Sequence, residues 1–246
     1  MWIRWILLAF ISLPAWGFKL TQDFVNGFYW ASLPINITVI DSNASRKATL
    51  ERLAARSVQE WESRSGLDLW DLTSAASTNV IRWSDNFAAE TNMDPRSVLA
   101  VAIRYTSGPY FAKTEIVING SNDFNKIEKD LYTTITHELG HTMGLDHSDV
   151  PWAVMAPSLQ LNYVGLQSDD IDGMKEAYTQ TSNRQLTGYV SPLSYSTSSS
   201  QQPLSCATVG PATAGAGWTL NGLFSLASGL LISFVRKLRK LFKSKS

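Results

Sequence analysis

The sequence predicts an α+β domain over residues 18–180, on three observations: a strand pattern that runs straight into an amphipathic helical pattern, three more strand patterns before residue 120, and two helical patterns after it. Strands and helices grouped in this way bury their apolar sides by packing helices against one sheet. With 246 residues, 44% hydrophobic and 17% charged, the chain has material for one such domain plus terminal extensions.

The first strand is expected at residues 34–40, where Ile35, Ile37 and Val39 alternate with Asn36 and Thr38. Asp41, Ser42 and Asn43 end it with turn and N-cap chemistry. A helix over 48–63 follows, with Leu50, Leu53, Ala54, Val58 and Trp61 on one side, Glu51, Arg52, Arg56 and Glu60 on the other, and Gly66 as its C-cap. Strands are expected at 79–83, 98–105 and 114–119, the last two separated by Ser107-Gly108-Pro109. A second helix should span 125–143, starting near Asp123 and stopped by Gly144; a third should span 168–178, with Asp169 and Asp170 in its first turn.

The ends of the chain differ in character. Residues 1–17 read as a signal peptide, with Arg4 before an apolar run at 6–13 and a small-x-small site at Ala15-Trp16-Gly17. An uncleaved anchor is the alternative, but the run is short beside the ~20 residues that a span needs. Residues 181–217, rich in Ser, Thr, Gly and Ala, read as a linker without enough apolar surface to fold. Residues 218–246 read as an apolar segment plus a basic tail, a membrane anchor or sorting tail, with Arg236, Lys237, Arg239, Lys240, Lys243 and Lys245 directly after the apolar stretch. The alternative is a basic helix lying on a membrane surface. Cys206, the single cysteine, forms no intramolecular disulfide and is a candidate for lipid attachment or processing.

The formal net charge is zero, yet residues 18–180 carry −8, which excludes nucleic acid as the natural partner of that region. The chemistry is concentrated in His137-Glu138-Leu139-Gly140-His141-Thr142-Met143-Gly144-Leu145-Asp146-His147, which holds all 3 histidines of the chain. One helical turn separates His137 from His141, so both imidazoles can reach one ion. Glu138 points about 100° round the helix, where a carboxylate can take a proton from a water beside that ion. Gly144 tolerates positive φ, and a turn there returns His147 as a third ligand. Three protein ligands with a fourth position open mark a catalytic zinc site rather than a structural one.

This motif resembles that of the metzincin metallopeptidases, and within them the matrixins, over roughly residues 33–178. Two further segments carry the resemblance. Ala153-Val154-Met155-Ala156-Pro157 is similar to the Met-turn, which implies that Met155 floors the metal site. Ser168-Asp169-Asp170-Ile171-Asp172-Gly173-Met174 is similar to the start of the last matrixin catalytic-domain helix, which implies hydrogen bonds from Asp169 and Asp170 to the Met-turn and the N-terminal region; helix capping is the plainer reading of both.

The resemblance implies a metzincin fold, with a twisted, mostly parallel sheet, an antiparallel edge strand and three helices. It also implies a zinc-dependent endopeptidase whose protein or peptide substrate lies extended along an edge strand. That edge is expected at residues 112–119, with Ala112 and Thr114 touching substrate, and the specificity pocket at 154–163, with Pro157 and Leu159 on its wall. Zinc would polarise the scissile carbonyl and acidify a water, and Glu138 would move its proton to the leaving amine.

Departures from the family pattern are as informative. There is no Pro-Arg-Cys-Gly segment and Cys206 follows the domain, so the family's cysteine latch is not expected. No histidine remains for a second, structural zinc. Calcium held by Asp carboxylates and backbone oxygens stays an alternative for which no motif is legible. Leu159 stands where the family often has Tyr. The expected location is exported and extracellular or cell-surface, tethered to membrane through residues 219–246; nothing in the sequence fixes an oligomeric state. Two rival readings are a catalytically silent, zinc-stabilised, membrane-tethered binding protein, which would need the histidines but not Glu138, and a membrane-active tail that the peptidase domain merely processes.

Overall fold

The computed structural model describes residues 17–73, 75–158, 165–195 and 201–204. Residues 1–16 of the signal peptide expected at 1–17, Leu159 with the rest of residues 159–164, Cys206 and the apolar, basic C-terminal segment lie outside the described residues. Among the described residues no helix is long and apolar enough to cross a membrane.

The fold is α+β. In chain order its elements are β1 (Lys19–Leu20), α1 (Gln22–Val25), β2 (Tyr29–Trp30), β3 (Ile35–Ile40), α2 (Ala44–Ser65), β4 (Trp70–Leu72), β5 (Val80–Ser84), α3 (Phe87–Thr91), β6 (Ala100–Ser107) and β7 (Tyr110–Asn119). A 3-10 turn (Asp123–Lys126) then leads into α4 (Glu128–Thr142), followed by β8 (Leu145–Asp146), α5 (Ser168–Thr187) and β9 (Gln201–Leu204). Helix α2 begins where Asn43 accepts the Arg46 amide and stops at Gly66, whose φ of 74° closes the cap.

The main sheet runs β4-β3-β5-β7-β6-β9, with β2 added parallel to the first residues of β7. Strands β4, β3, β5 and β7 are parallel neighbours; β6 is antiparallel to β7, and β9 antiparallel to β6. Strand β7 is therefore interior. It pairs with β5 through Glu115–Asn119 on one side and with β6 on the other, which corrects the expectation of a substrate-binding edge at 112–119. Thr114 is fully buried, its hydroxyl donating to the Ile103 carbonyl at 3.1 Å and its amide to Asn79 Oδ1 at 2.9 Å. Ala112 is exposed and falls where the β6–β7 register slips. Apolar alternation records which face of a strand is buried, not which strand lies beside it. Beyond β7 come the antiparallel strands β6 and β9, with β9 outermost.

The main core lies between this sheet and helices α2 and α4. Ile37, Ile81, Ala102 and Ile116 from the sheet meet Leu53 and Trp61 of α2 and Ile135 and Leu139 of α4. The opposite face of β6 and β7 carries a smaller cluster of Val98, Val101, Ile103 and Val117 with Phe87, so these two strands read as continuous apolar runs because both faces are covered. Helix α5 runs to Thr187, past the expected end at Tyr178. Arg184 donates to the Phe24 and Phe28 carbonyls and Gln185 to that of Trp30, so polar residues read as the start of a linker at 181 belong to the packed domain. Tyr29 and Ser191 extend the attachment by donating to the carbonyls of Tyr189 and Asn26.

Candidate metal centre

Every residue of α4 from Leu131 to Thr142 is buried. Its threonines make this tolerable: the hydroxyls of Thr133, Thr134 and Thr136 donate to carbonyls one turn back, at Lys129, Asp130 and Tyr132. The last carbonyls of a helix have no partner within it, and here other elements supply them. Trp30 Nε1 donates to the Thr142 carbonyl at 2.8 Å, the Thr21 amide to that of Gly144 at 2.9 Å, and the Arg104 guanidinium to that of His141. Gly144, with φ of +103°, then turns the chain into β8; a side chain there would strike Phe24, which packs against it.

That turn brings His137, His141 and His147 together, with one ligand atom from each all within 4.8 Å of one another. The tautomers follow from the partners. His137 Nδ1 lies 2.7 Å from the Val154 carbonyl and His141 Nδ1 2.7 Å from that of Leu145. A carbonyl only accepts, so both Nδ1 atoms carry the proton and both Nε2 atoms present lone pairs. Those two Nε2 atoms face each other at 2.9 Å, and His147 Nε2 is buried with no hydrogen-bond partner. Lone pairs converging without a shared proton are the arrangement that a cation stabilises, so the residues fit a zinc ion with three nitrogen ligands.

Burial keeps the set neutral. It is the main cause that pushes the His137 imidazole down to about 3, with His147 adding to it, and that pushes His147 down to about 4, with Lys19 adding to it. His141 is driven well below its ordinary range for the same reason. Neutral imidazole is the form that ligates. Glu138, also fully buried, follows His137 directly on the helix.

The loop from Ser148 to Met155 is closed by the Ser148 amide on the Met155 carbonyl at 2.8 Å. Asp170 accepts the amides of Val154, Met155 and Gln167, which holds the loop whose Val154 carbonyl orients His137. Asp169 accepts the amides of Gly17 and Phe18 at 2.9 Å and the hydroxyl of Ser148, joining the N-terminal segment to the residue after His147. Met155 packs under α4 at Gly140, where an added Cβ would lie 2.4 Å from its sulfur. Pro157 is exposed at the far end of this loop.

A family model described as Matrixin matches residues 30–179, more than half of the chain and all three histidines. The chain belongs to the matrixin family. Matrixins are zinc metalloendopeptidases, and the three-histidine cluster of this matrixin is consistent with a zinc site. Human neutrophil collagenase is 30% identical over 147 residues, 56% of this chain and 30% of that protein. Metalloendoproteinase 1 of Glycine max is 28% identical over 142 residues, 53% of this chain and 46% of that protein, and human matrix metalloproteinase-16 is 25% identical over 138 residues, 47% and 23%. The matches span less than half of each of these relatives.

The sequence reading missed the support beneath the helix end. Arg104 is fully buried, reaching Thr21 and Asp23 as well as the His141 carbonyl, with Nε 3.0 Å from Asp23 Oδ2. Its signal was present: Ala100, Ala102 and Arg104 share one strand face, so a charge sits where the alternation demands burial. A buried charge needs a partner.

Proposed function

We propose that this matrixin is an exported, zinc-dependent endopeptidase that hydrolyses internal peptide bonds, with Glu138 as general base. The observation that carries the reading is the convergence of two Nε2 lone pairs at 2.9 Å beside a third buried, unpartnered Nε2. Zinc, when bound there, supplies Lewis-acid polarisation of a peptide carbonyl and acidifies a water ligand. His137, His141 and His147 hold it, their rings fixed in part by the Val154 and Leu145 carbonyls. Glu138 takes the proton of the attacking water and passes it to the leaving amine. Met155 fills the space below Gly140 and seats the histidine helix.

Substrate adds as an extended strand to the side of β6 that faces away from β7, and Arg104 of β6 reaches the carbonyl of a ligand histidine. The apolar run at residues 6–13 supports export, and the apolar stretch at 219–235 followed by six basic residues supports attachment to a membrane. Incubating the full chain with a peptide library, zinc-loaded and after chelation, tests the proposal. Internal cleavages that vanish on chelation and return with zinc are expected; a chain that retains zinc and leaves every peptide intact would overturn it.

A further inference from the structure

The edge of β6 is already covered. Gln201–Leu204 forms β9 against it, antiparallel, with Gln201 opposite Tyr105, Gln202 opposite Arg104, Pro203 opposite Ile103 and Leu204 opposite Ala102. Along an antiparallel strand, the N–H and C=O of successive residues point to opposite neighbours. In β6 the carbonyl of Ile103 points toward β7, where Thr114 Oγ1 donates to it, and so does that of Leu99 just before the strand, where the Asn119 amide donates. Ala102 and Arg104 therefore offer their amides and carbonyls to the outside, and Gln202 and Leu204 stand opposite them.

Proline fits this register. Pro203, opposite Ile103, occupies a position whose N–H would point away from β6, so the missing donor costs the pairing nothing. It also denies that donor to any further strand, the usual way to blunt an exposed edge. Five residues, 196–200, separate this segment in sequence from Tyr195, and so short a covalent connection corresponds to an effective concentration on the order of millimolar, enough to hold a weakly pairing segment in place.

We propose that Gln201–Leu204 is a built-in occupant of the peptide-binding edge of β6, which a substrate must displace before it reaches the histidine cluster. The proposal rests on the reading of β6 as the substrate edge. A tail docked nine-tenths of the time raises the apparent KM about tenfold and leaves kcat unchanged.

The test uses the full zinc-loaded chain and two variants. In Gln202→Pro/Leu204→Pro both amides that face β6 are removed; in Gln201→Pro an outward-facing amide is removed. Hydrogen exchange at the Ala102 and Arg104 amides and KM for a peptide substrate are compared with wild type. The double variant should expose both amides and lower KM about tenfold, while Gln201→Pro matches wild type on both counts. Equal exchange in all three proteins, or exposed amides with unchanged KM, would overturn the proposal. If no protein cleaves any peptide, the endopeptidase reading fails by itself. Anisotropy of a fluorescein-labelled peptide spanning residues 198–205 then decides the docking: about tenfold tighter binding to the double variant supports it, and equal binding to wild type overturns it.

Discussion

Gly140 shows how much of the site hangs on one missing methyl group. It sits between the ligand histidines with the Met155 sulfur and the Trp61 ring pressed against its Cα, and an added Cβ would fall 2.4 Å from the first and 3.2 Å from the second. In an exposed helix, replacing glycine with alanine gains ~1 kcal/mol. Here Gly140→Ala should instead lower the melting temperature of the metal-free protein and weaken zinc retention about tenfold, because Met155 must move. A calorimetric scan with zinc titration checks this; a higher melting temperature would mean that the helix and the methionine loop are not in close contact. The histidine cluster was legible in the sequence, since helical spacing brings His137 and His141 together and His147 is the one other histidine of the chain. The need for Gly140 was not, because its partner comes from a loop whose position only the fold determines.

Strand β6 contributes one member of a buried ion pair. Its Arg104 and the Asp23 carboxylate face each other with side chains 0% and 5% exposed. Removing one member of a buried pair leaves the other charge uncompensated, so Arg104→Met should cost about 3–5 kcal/mol in denaturant unfolding. Adding Asp23→Leu should recover much of that loss; a double variant no more stable than the single one would show that Arg104 acts mainly by holding the His141 carbonyl.

A second set of charges ties β5, α3 and β7 together. Arg82 bonds Glu90 and Glu115, and its hydrogen bond is the main cause that holds the Glu90 carboxyl below its ordinary range. Burial pushes Glu115 up, but Lys113 and Arg82 outweigh it and hold it low as well. Both folded-state values lie below the unfolded ones, so this stabilisation is present above about pH 4.5 and is lost as pH falls through the folded values. The urea midpoint should drop as pH falls below about 4.5, and Glu115→Gln should flatten that drop; an unchanged profile would contradict the assignment. Strands β3, β5, β6 and β7 and the caps of α2 at Asn43 and Gly66 were legible at this scale, whereas β2, β4 and β9, of two to four residues, are too short to show an alternation. Strand order was not: β7 has the apolar pattern expected of either an interior or an edge strand, and only pairing distinguishes them.

At the scale of the whole chain, the sheet, the three long helices and the three-histidine cluster form one packed matrixin domain that reaches past residue 180. The composition there turns polar, which reads as linker, yet Thr181 is buried and Arg184 and Gln185 cap carbonyls of the N-terminal segment. Polar side chains that satisfy buried backbone groups look, in a sequence, the same as polar side chains in water. Residues 201–204 of the chain then cover β6, the strand proposed above to receive a peptide.

A zinc site built by the three histidines, with Glu138 moving the proton, predicts a separation between binding and turnover. Zinc content and kcat/KM for one peptide substrate, measured side by side on the wild-type chain and on Glu138→Ala, test it most directly. Both proteins should hold one zinc per chain, and kcat/KM should be at least ~100-fold lower in the variant. Equal turnover by the two proteins would contradict it.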